Sequence, residues 1–166
     1  NAIEKCGRPI VLSLSPGPAL VEESWHYKKY ANMWRITDDF WDKWELLYAM
    51  FERAEKWSIH TGAGHWPDAD MLPIGPINQV YGKENRTKFT EDEQRTMLTL
   101  SCIMRSPLMI GGDMTGFDAF TTSLVTNPKL IEVLQHTHSA HPLFRKKTEN
   151  TETCAWMATY ENGDLC

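Results

Sequence analysis

Residues 9–15 (PIVLSLS) are a short apolar run rich in β-formers and end in Pro16-Gly17-Pro18, which predicts a buried strand closed by a turn. A helix is expected over residues 19–31 and a second strand over 32–37 (NMWRIT). The strongest periodicity covers residues 40–58. Trp41, Trp44, Tyr48 and Phe51 recur there at helical spacing beside Leu47, while Lys43, Glu45, Glu52, Arg53 and Lys56 fill the polar face. Residues 62–64 read as a turn, 66–72 (WPDADML) as a third strand or strand end, and 76–89 as a polar loop. Thr90 and Glu93 have capping-box spacing, so a helix should start there and run to about residue 105, where Pro107 stops it. Residues 107–110 (PLMI) predict a fourth buried strand, ended by Gly111-Gly112-Asp113. Asn127 and Pro128 suit the cap and first turn of a last helix, to about residue 135. From residue 154 the pattern becomes CAWMATYENGDLC, a hairpin with its turn at Asn162-Gly163-Asp164.

The order is therefore strand then helix, four times, followed by the start of an antiparallel region. Repeated strand–helix units mean a parallel sheet. Polar residues follow each strand: Ser15, Asp39, Asp70 and Asp113. Both a β/α barrel and a doubly wound open sheet place their ligand at such strand ends, and periodicity does not choose between them.

The 166 residues suffice for one domain with a real core. The net charge of −5, without a basic run, argues against nucleic acid as partner. No apolar stretch approaches the roughly 18 residues of a membrane span. Seven tryptophans and five tyrosines suit sugar rings by their flat faces, yet each serves equally well in a core. Cys6, Cys102, Cys154 and Cys166 have no CxxC spacing, which excludes a zinc ribbon and leaves the redox compartment open. The chain begins with Asn1 and ends inside a predicted strand, so it is expected to be a piece of a longer protein.

Two segments could carry chemistry. In the first, Arg35 lies within a strand and Asp38-Asp39 just past its end. A guanidinium there offers a rigid fork of donors, and a carboxyl group can give and take protons if burial or a neighbouring carboxylate raises its pKa. The plainer alternative makes both aspartates caps of the following helix. In the second, Asp68 and Asp70 alternate, so on an extended segment they share a side, where they could move protons or hold a divalent cation with His65. An acidic turn explains them equally well. His136, His138 and His141 lack a supporting Cys or Glu-x-x-His and read as a solvated loop rather than a zinc site.

Four blocks in order resemble glycoside hydrolase family 27, the α-galactosidase and α-N-acetylgalactosaminidase group. They are Gly7-Arg8-Pro9-Ile10-Val11 with its serine-rich strand end, Trp34-Arg35 with Asp39, the Gly-x-Gly-x-Trp-x-Asp-x-Asp-Met-Leu pattern over residues 62–72 with Ile74-Gly75 after it, and Ile103-Met104 with Ser106-Pro107-Leu108 and Asp113. Thr126-Asn127-Pro128 with Ile131 and Gln135 is similar to the last helix of the family's barrel. The resemblance implies an α/β fold: strands five to eight of a (β/α)8 barrel over residues 1–145, then the start of an antiparallel β-sandwich over 146–166. It implies removal of terminal α-linked galactose with retention, by two carboxylates, with no cofactor and no metal. It makes Asp39 the catalytic acid/base, Arg35 a substrate-binding group, Asp70 and Met71 pocket residues, and Ser15 a contact to the substituent at the sugar's second carbon. The nucleophile would lie upstream of residue 1, so residues 1–166 alone should be inactive. A secreted or periplasmic protein is implied.

The segment Ser13-Leu14-Ser15-Pro16-Gly17-Pro18 departs from the family's usual Ser-Cys-Glu-Trp-Pro or Ser-Cys-Ser-Trp-Pro. Leu14 stands for a cysteine and Ala31 for its bridge partner, which fits a bacterial-type member; Ser15 resembles the N-acetylgalactosaminidase version. Asn85-Arg86-Thr87 is a glycosylation sequon. The competing readings are a same-scaffold enzyme for another sugar (an α-N-acetylgalactosaminide or a β-L-arabinopyranoside), a non-catalytic carbohydrate-binding relative, and a metal-dependent hydrolase using Asp68, Asp70 and His65.

Overall fold

In a computed structural model of the chain, residues 2–77 and 85–166 are described. A short helix, α1 (Ala2–Lys5), precedes the first strand, β1 (Ser13–Leu14). The apolar run of residues 9–15 thus contributes two ladder residues, because β1 is an edge strand; Val11 is exposed. The expected helix over 19–31 opens as a 3₁₀ turn (Val21–Glu23) and continues as α2 (Ser24–Tyr30). Ala19 is kept out of it because its N–H donates to the Arg35 carbonyl at 3.1 Å.

Strand β2 (Met33–Arg35) lies between β1 and β3 (Trp66–Asp68) in a parallel ladder, with Arg35 level with Asp68. Between them runs α3 (Trp44–Ser58), four residues shorter at its start than the periodicity suggests. The segment before it is drawn away by other partners. The Phe40 N–H donates to Asp70 at 2.7 Å, and Asp42 accepts the Lys88 N–H at 2.7 Å. Asp38 and Asp39 are consequently not helix caps; Lys43 holds that position.

The third strand predicted over 66–72 is two strands. It breaks after β3, and β4 (Met71–Leu72) pairs instead with β5 (Met109–Ile110), again in parallel. The break sits at Asp70, whose φ of 72° is left-handed. Asp68 and Asp70 therefore do not alternate along one extended segment.

The polar loop expected over 76–89 lies partly outside the described residues, at 78–84. Helix α4 (Glu91–Ile103) starts with the predicted capping box: Thr90 Oγ1 accepts the Glu93 N–H, and Glu93 accepts the Thr90 N–H. Truncating Thr90 to alanine would cost about 1 kcal/mol. Helix α5 (Ala119–Val125), capped by Asp118, was not foreseen. Helix α6 (Pro128–His136) has Asn127 as its cap and Pro128 in its first turn, as expected.

The final element is an antiparallel hairpin of β6 (Thr137–Lys147) and β7 (Glu152–Tyr160). It begins earlier than residue 154, so His138 and His141 belong to a strand and not to a loop. Both bond locally to Ser139. The expected turn at 162–164 is present, with Gly163 at φ 92°.

The core lies between the β1–β3 ladder and its helices. Trp34 is fully buried, stacked on Tyr27 at 5.6 Å and tilted against Trp57 at 5.8 Å. These aromatic rings pack the interior and are not available to a sugar. Trp25 and Trp44 are exposed. All four cysteines are free, and burial pushes the Cys102 thiol up to about 12. Among the described residues no helix is long and apolar enough to cross a membrane.

Candidate active site

Arg35 ends β2, and its side chain is 18% exposed at the carboxyl edge of the ladder. One guanidinium nitrogen, Nη1, lies 3.0 Å from Asp39 Oδ1 and 3.6 Å from Asp70 Oδ2. Two residues separated by 31 positions thus converge on one arginine because β2 and β3 are neighbours in register. The Asp39 side chain is 75% exposed and faces solvent.

Asp70 is tied into the backbone around it. Its Oδ2 accepts the Phe40 N–H, and its own N–H donates to Asp68 Oδ1 at 2.9 Å. Asp68 is only 8% exposed. Burial pushes its carboxyl above the ordinary carboxylate value and the nearby Asp70 adds to this, while the Asp70 N–H and Arg35 act in the other direction. Ser106 is 1% exposed and its Oγ accepts the Ala69 N–H at 2.9 Å, tying the turn between β3 and β4 to the segment after α4.

The other sequence-predicted residues take different places. Met71, in β4, packs against the Gly111 backbone: a Cβ added there would sit 2.8 Å from Met71 Sδ. Gly112 has even less room, since its Cβ would meet the Ile74 carbonyl at 2.0 Å. The glycine pair after β5 is therefore required by close packing against β4 and the segment that follows it. Ser15 is exposed just past β1. Asp113 turns inward on its own loop, accepting from the Thr115 N–H and hydroxyl, which hold its carboxyl below the usual range.

Sequence reasoning gave no role to Ser106 or to the Phe40 amide. The serine before Pro107 was visible, but its partner lies 37 residues away and is a backbone group. Among the described residues no three His, Cys, Asp or Glu side chains are grouped to hold a metal, so His65 does not join Asp68 and Asp70 in such a set. An open depression of about 640 Å³ lies elsewhere, between α6 and the end of β7, lined by Lys129, Glu132, His136 and Tyr160. It carries an ordinary surface pair, Lys129–Glu132 at 3.0 Å.

At Arg35 a guanidinium with hydrogen-bonding capacity left stands between two carboxylates, a combination suited to holding hydroxyl groups. A family model described as alpha galactosidase A matches residues 1–136. The chain belongs to this family, glycoside hydrolase family 27. Alpha-galactosidase 3 of Arabidopsis thaliana is 31% identical over 135 residues, covering 81% of this chain and 28% of the relative. An alpha-N-acetylgalactosaminidase of Gallus gallus is 28% identical over 145 residues, covering 81% of this chain and 33% of the relative. Among solved structures, a family 27 β-L-arabinopyranosidase from Geobacillus stearothermophilus superposes with a TM-score of 0.91 at 49% identity, covering 99% of this chain and 38% of that one. The chain thus spans about a quarter to two fifths of the length of these family 27 proteins.

Proposed function

We propose that the full-length protein is a retaining exo-glycosidase that removes terminal α-linked galactose from oligosaccharides or glycoconjugates. The observation that carries this reading is the convergence of Asp39 and Asp70 on Arg35 at the carboxyl ends of parallel strands. In the proposed double displacement, a carboxylate from outside residues 1–166 attacks the anomeric carbon while Asp39 protonates the departing oxygen. Asp39 then takes a proton from water as that water releases the sugar. The two carboxyl groups should lie about 5–5.5 Å apart in the complete site. Arg35, Met71 and Ser15 line the sugar pocket, and Asp70 supports it from beside Arg35.

Residues 1–145 form strands five to eight of a (β/α)8 barrel in this reading, and 146–166 begin the β-sandwich, with β6 passing from one to the other. The parallel pairing and the exposure of Ile10, Val11, Met109 and Ile110 at the outer strands support it, because parallel strands are ordinarily covered on both sides. Lacking the second carboxylate, residues 1–166 alone are inactive. Secretion or export to the periplasm follows from the family resemblance.

A second reading has its own support. The 49% identical neighbour is named a β-L-arabinopyranosidase. β-L-Arabinopyranose has the ring stereochemistry of α-D-galactose without the hydroxymethyl group, so the same acid/base apparatus would serve. The test is turnover of aryl α-D-galactopyranoside, β-L-arabinopyranoside and α-N-acetylgalactosaminide by the full-length enzyme, with the anomer of the first product read by NMR. Retention with preference for galactoside supports the first reading, and preference for arabinopyranoside supports the second. Inversion would overturn both. Sugar binding without turnover would make the protein a lectin-like relative.

A further inference from the structure

We infer that Asp70 is a positioning residue for Asp39, acting through the Phe40 amide and the Arg35 guanidinium; this rests on Asp39 being the acid/base. The residue following the proposed acid is held by its backbone, not by its helix. Phe40 donates its N–H to Asp70 Oδ2 at 2.7 Å, and that same oxygen lies 3.6 Å from the Arg35 nitrogen that contacts Asp39. One carboxylate therefore fixes both the peptide that carries Asp39 and the cation that orients its side chain.

The anchor itself is rigid. Asp70 adopts φ 72°, a conformation that most side chains resist but Asp, Asn and Gly accept. Its turn is pinned on both sides, by the Asp70 N–H to Asp68 and by the Ala69 N–H to buried Ser106. The far end of the Asp39 segment is fixed too, since Asp42 accepts the Lys88 N–H and Phe40 packs its ring 6.2 Å from Phe89. With Asp42 and Phe40 both held, the backbone that follows Asp39 is fixed while its side chain remains exposed.

A residue that acts on the acid behaves differently from one that binds sugar. Proton donation matters for a poor leaving group such as methanol and hardly at all for 2,4-dinitrophenolate. The experiment compares Asp70→Gly, Asp70→Asn and Asp39→Asn in the full-length enzyme on the methyl and 2,4-dinitrophenyl glycosides of its preferred sugar. Glycine removes the carboxylate without backbone strain, and asparagine keeps an acceptor for Phe40 but loses the charge facing Arg35. Asp70→Gly should lower kcat/KM for the methyl glycoside by about a hundredfold while leaving the dinitrophenyl glycoside within about fivefold. Asp70→Asn should lose about tenfold on the methyl glycoside only, recovering most of the glycine defect.

Equal losses on both substrates, a rise in KM as the main effect, or an asparagine variant as damaged as glycine would overturn the inference. Should the glycine variant fail to fold, asparagine decides alone: a loss confined to the methyl glycoside supports the inference, and a uniform loss or none contradicts it. Asp39→Asn separates the two levels. If that variant shows no dependence on leaving group, the acid/base reading fails; if it does and the Asp70 variants do not, only the positioning role fails.

Discussion

Two arginines in this chain each gather a carboxylate and further polar partners, and they are put to different uses. Arg145 pairs with Glu152 across the β6–β7 hairpin and lies 5.5 Å from the centre of the Tyr48 ring, while the Tyr48 hydroxyl donates to the same Glu152. Each member has its partner, and the result is a strap from α3 to the hairpin. The Tyr48 hydroxyl and then Arg145 hold the Glu152 carboxyl below its usual range. Arg35 stands between two carboxylates, its Nε is buried without a hydrogen-bond partner, and one of its carboxylates faces solvent. The first cluster is closed on itself; the second has bonding capacity left and an open face. Having an arginine beside a carboxylate does not make a site. An arginine with a donor left unspent at a strand end, beside a carboxylate that faces solvent, is what distinguishes it.

The largest effect that separates the clusters is expected at Asp39. Asp39→Asn in the full-length enzyme should slow cleavage of an unactivated oligosaccharide by about 10²–10⁴-fold, measured as kcat/KM. Normal turnover of that substrate would remove Asp39 from the mechanism. Next comes Arg35→Lys, which exchanges a planar fork for a point charge and should cost about a hundredfold in kcat/KM with the fold intact by circular dichroism. Unchanged kinetics would make Arg35 a structural residue like Arg145.

Smaller effects concern stability. The folded state raises the pKa of Asp68 above its ordinary 3.8, so the protein binds that proton more tightly than the unfolded chain does. Its stabilising contribution is present below 3.8 and is lost as pH rises through the higher folded value. Asp68→Asn keeps an acceptor for the Asp70 N–H and removes the buried charge. Its Tm should therefore exceed that of the unaltered enzyme at pH 7, with the gap closing as pH falls below 3.8. A lower Tm at pH 7 would mean that the charge is needed by Arg35 more than burial penalises it.

Glu152→Gln should have the smallest effect. For this strap the sign reverses. A lowered carboxyl contributes stability that is present above the usual 4.5 and lost as pH falls through the folded value. The variant should lower Tm slightly at pH 7, less so in high salt, and leave kcat/KM within about twofold. A large loss of activity would show that the strap reaches the chemistry.

Much of this contrast was readable from the residues. The Arg35–Asp39 spacing after a β-rich run, the capping box at Thr90 and the Asn127-Pro128 start all rest on short-range chemistry, and the structure has them. What escaped depends on distant partners. Nothing local says that Asp70 is left-handed, because its Phe40 and Ser106-linked supports lie elsewhere in the chain. Strand β6 was missed because THSAHPLFRKK contains a proline and a basic end and has no clean alternation; pairing with β7 makes it a strand, with register shifts along the way. Helix α5 (AFTTSLV) is rich in β-branched residues and owes its start to Asp118. The division of labour proposed for the site residues is less legible still, since the proposed acid, its proposed positioning group and a buried neighbour are all aspartates.

The acid/base role proposed for Asp39 is tested most directly by azide rescue of Asp39→Gly in the full-length enzyme, using the 2,4-dinitrophenyl glycoside of its preferred sugar. With the acid/base gone, the glycosyl-enzyme forms but water is no longer activated, and azide, which needs no general base, should enter in its place. Faster turnover with added azide and a glycosyl azide of retained anomeric configuration are expected. An azide of inverted configuration would mark Asp39 as the nucleophile instead, and no rescue at all would contradict its place in the chemistry.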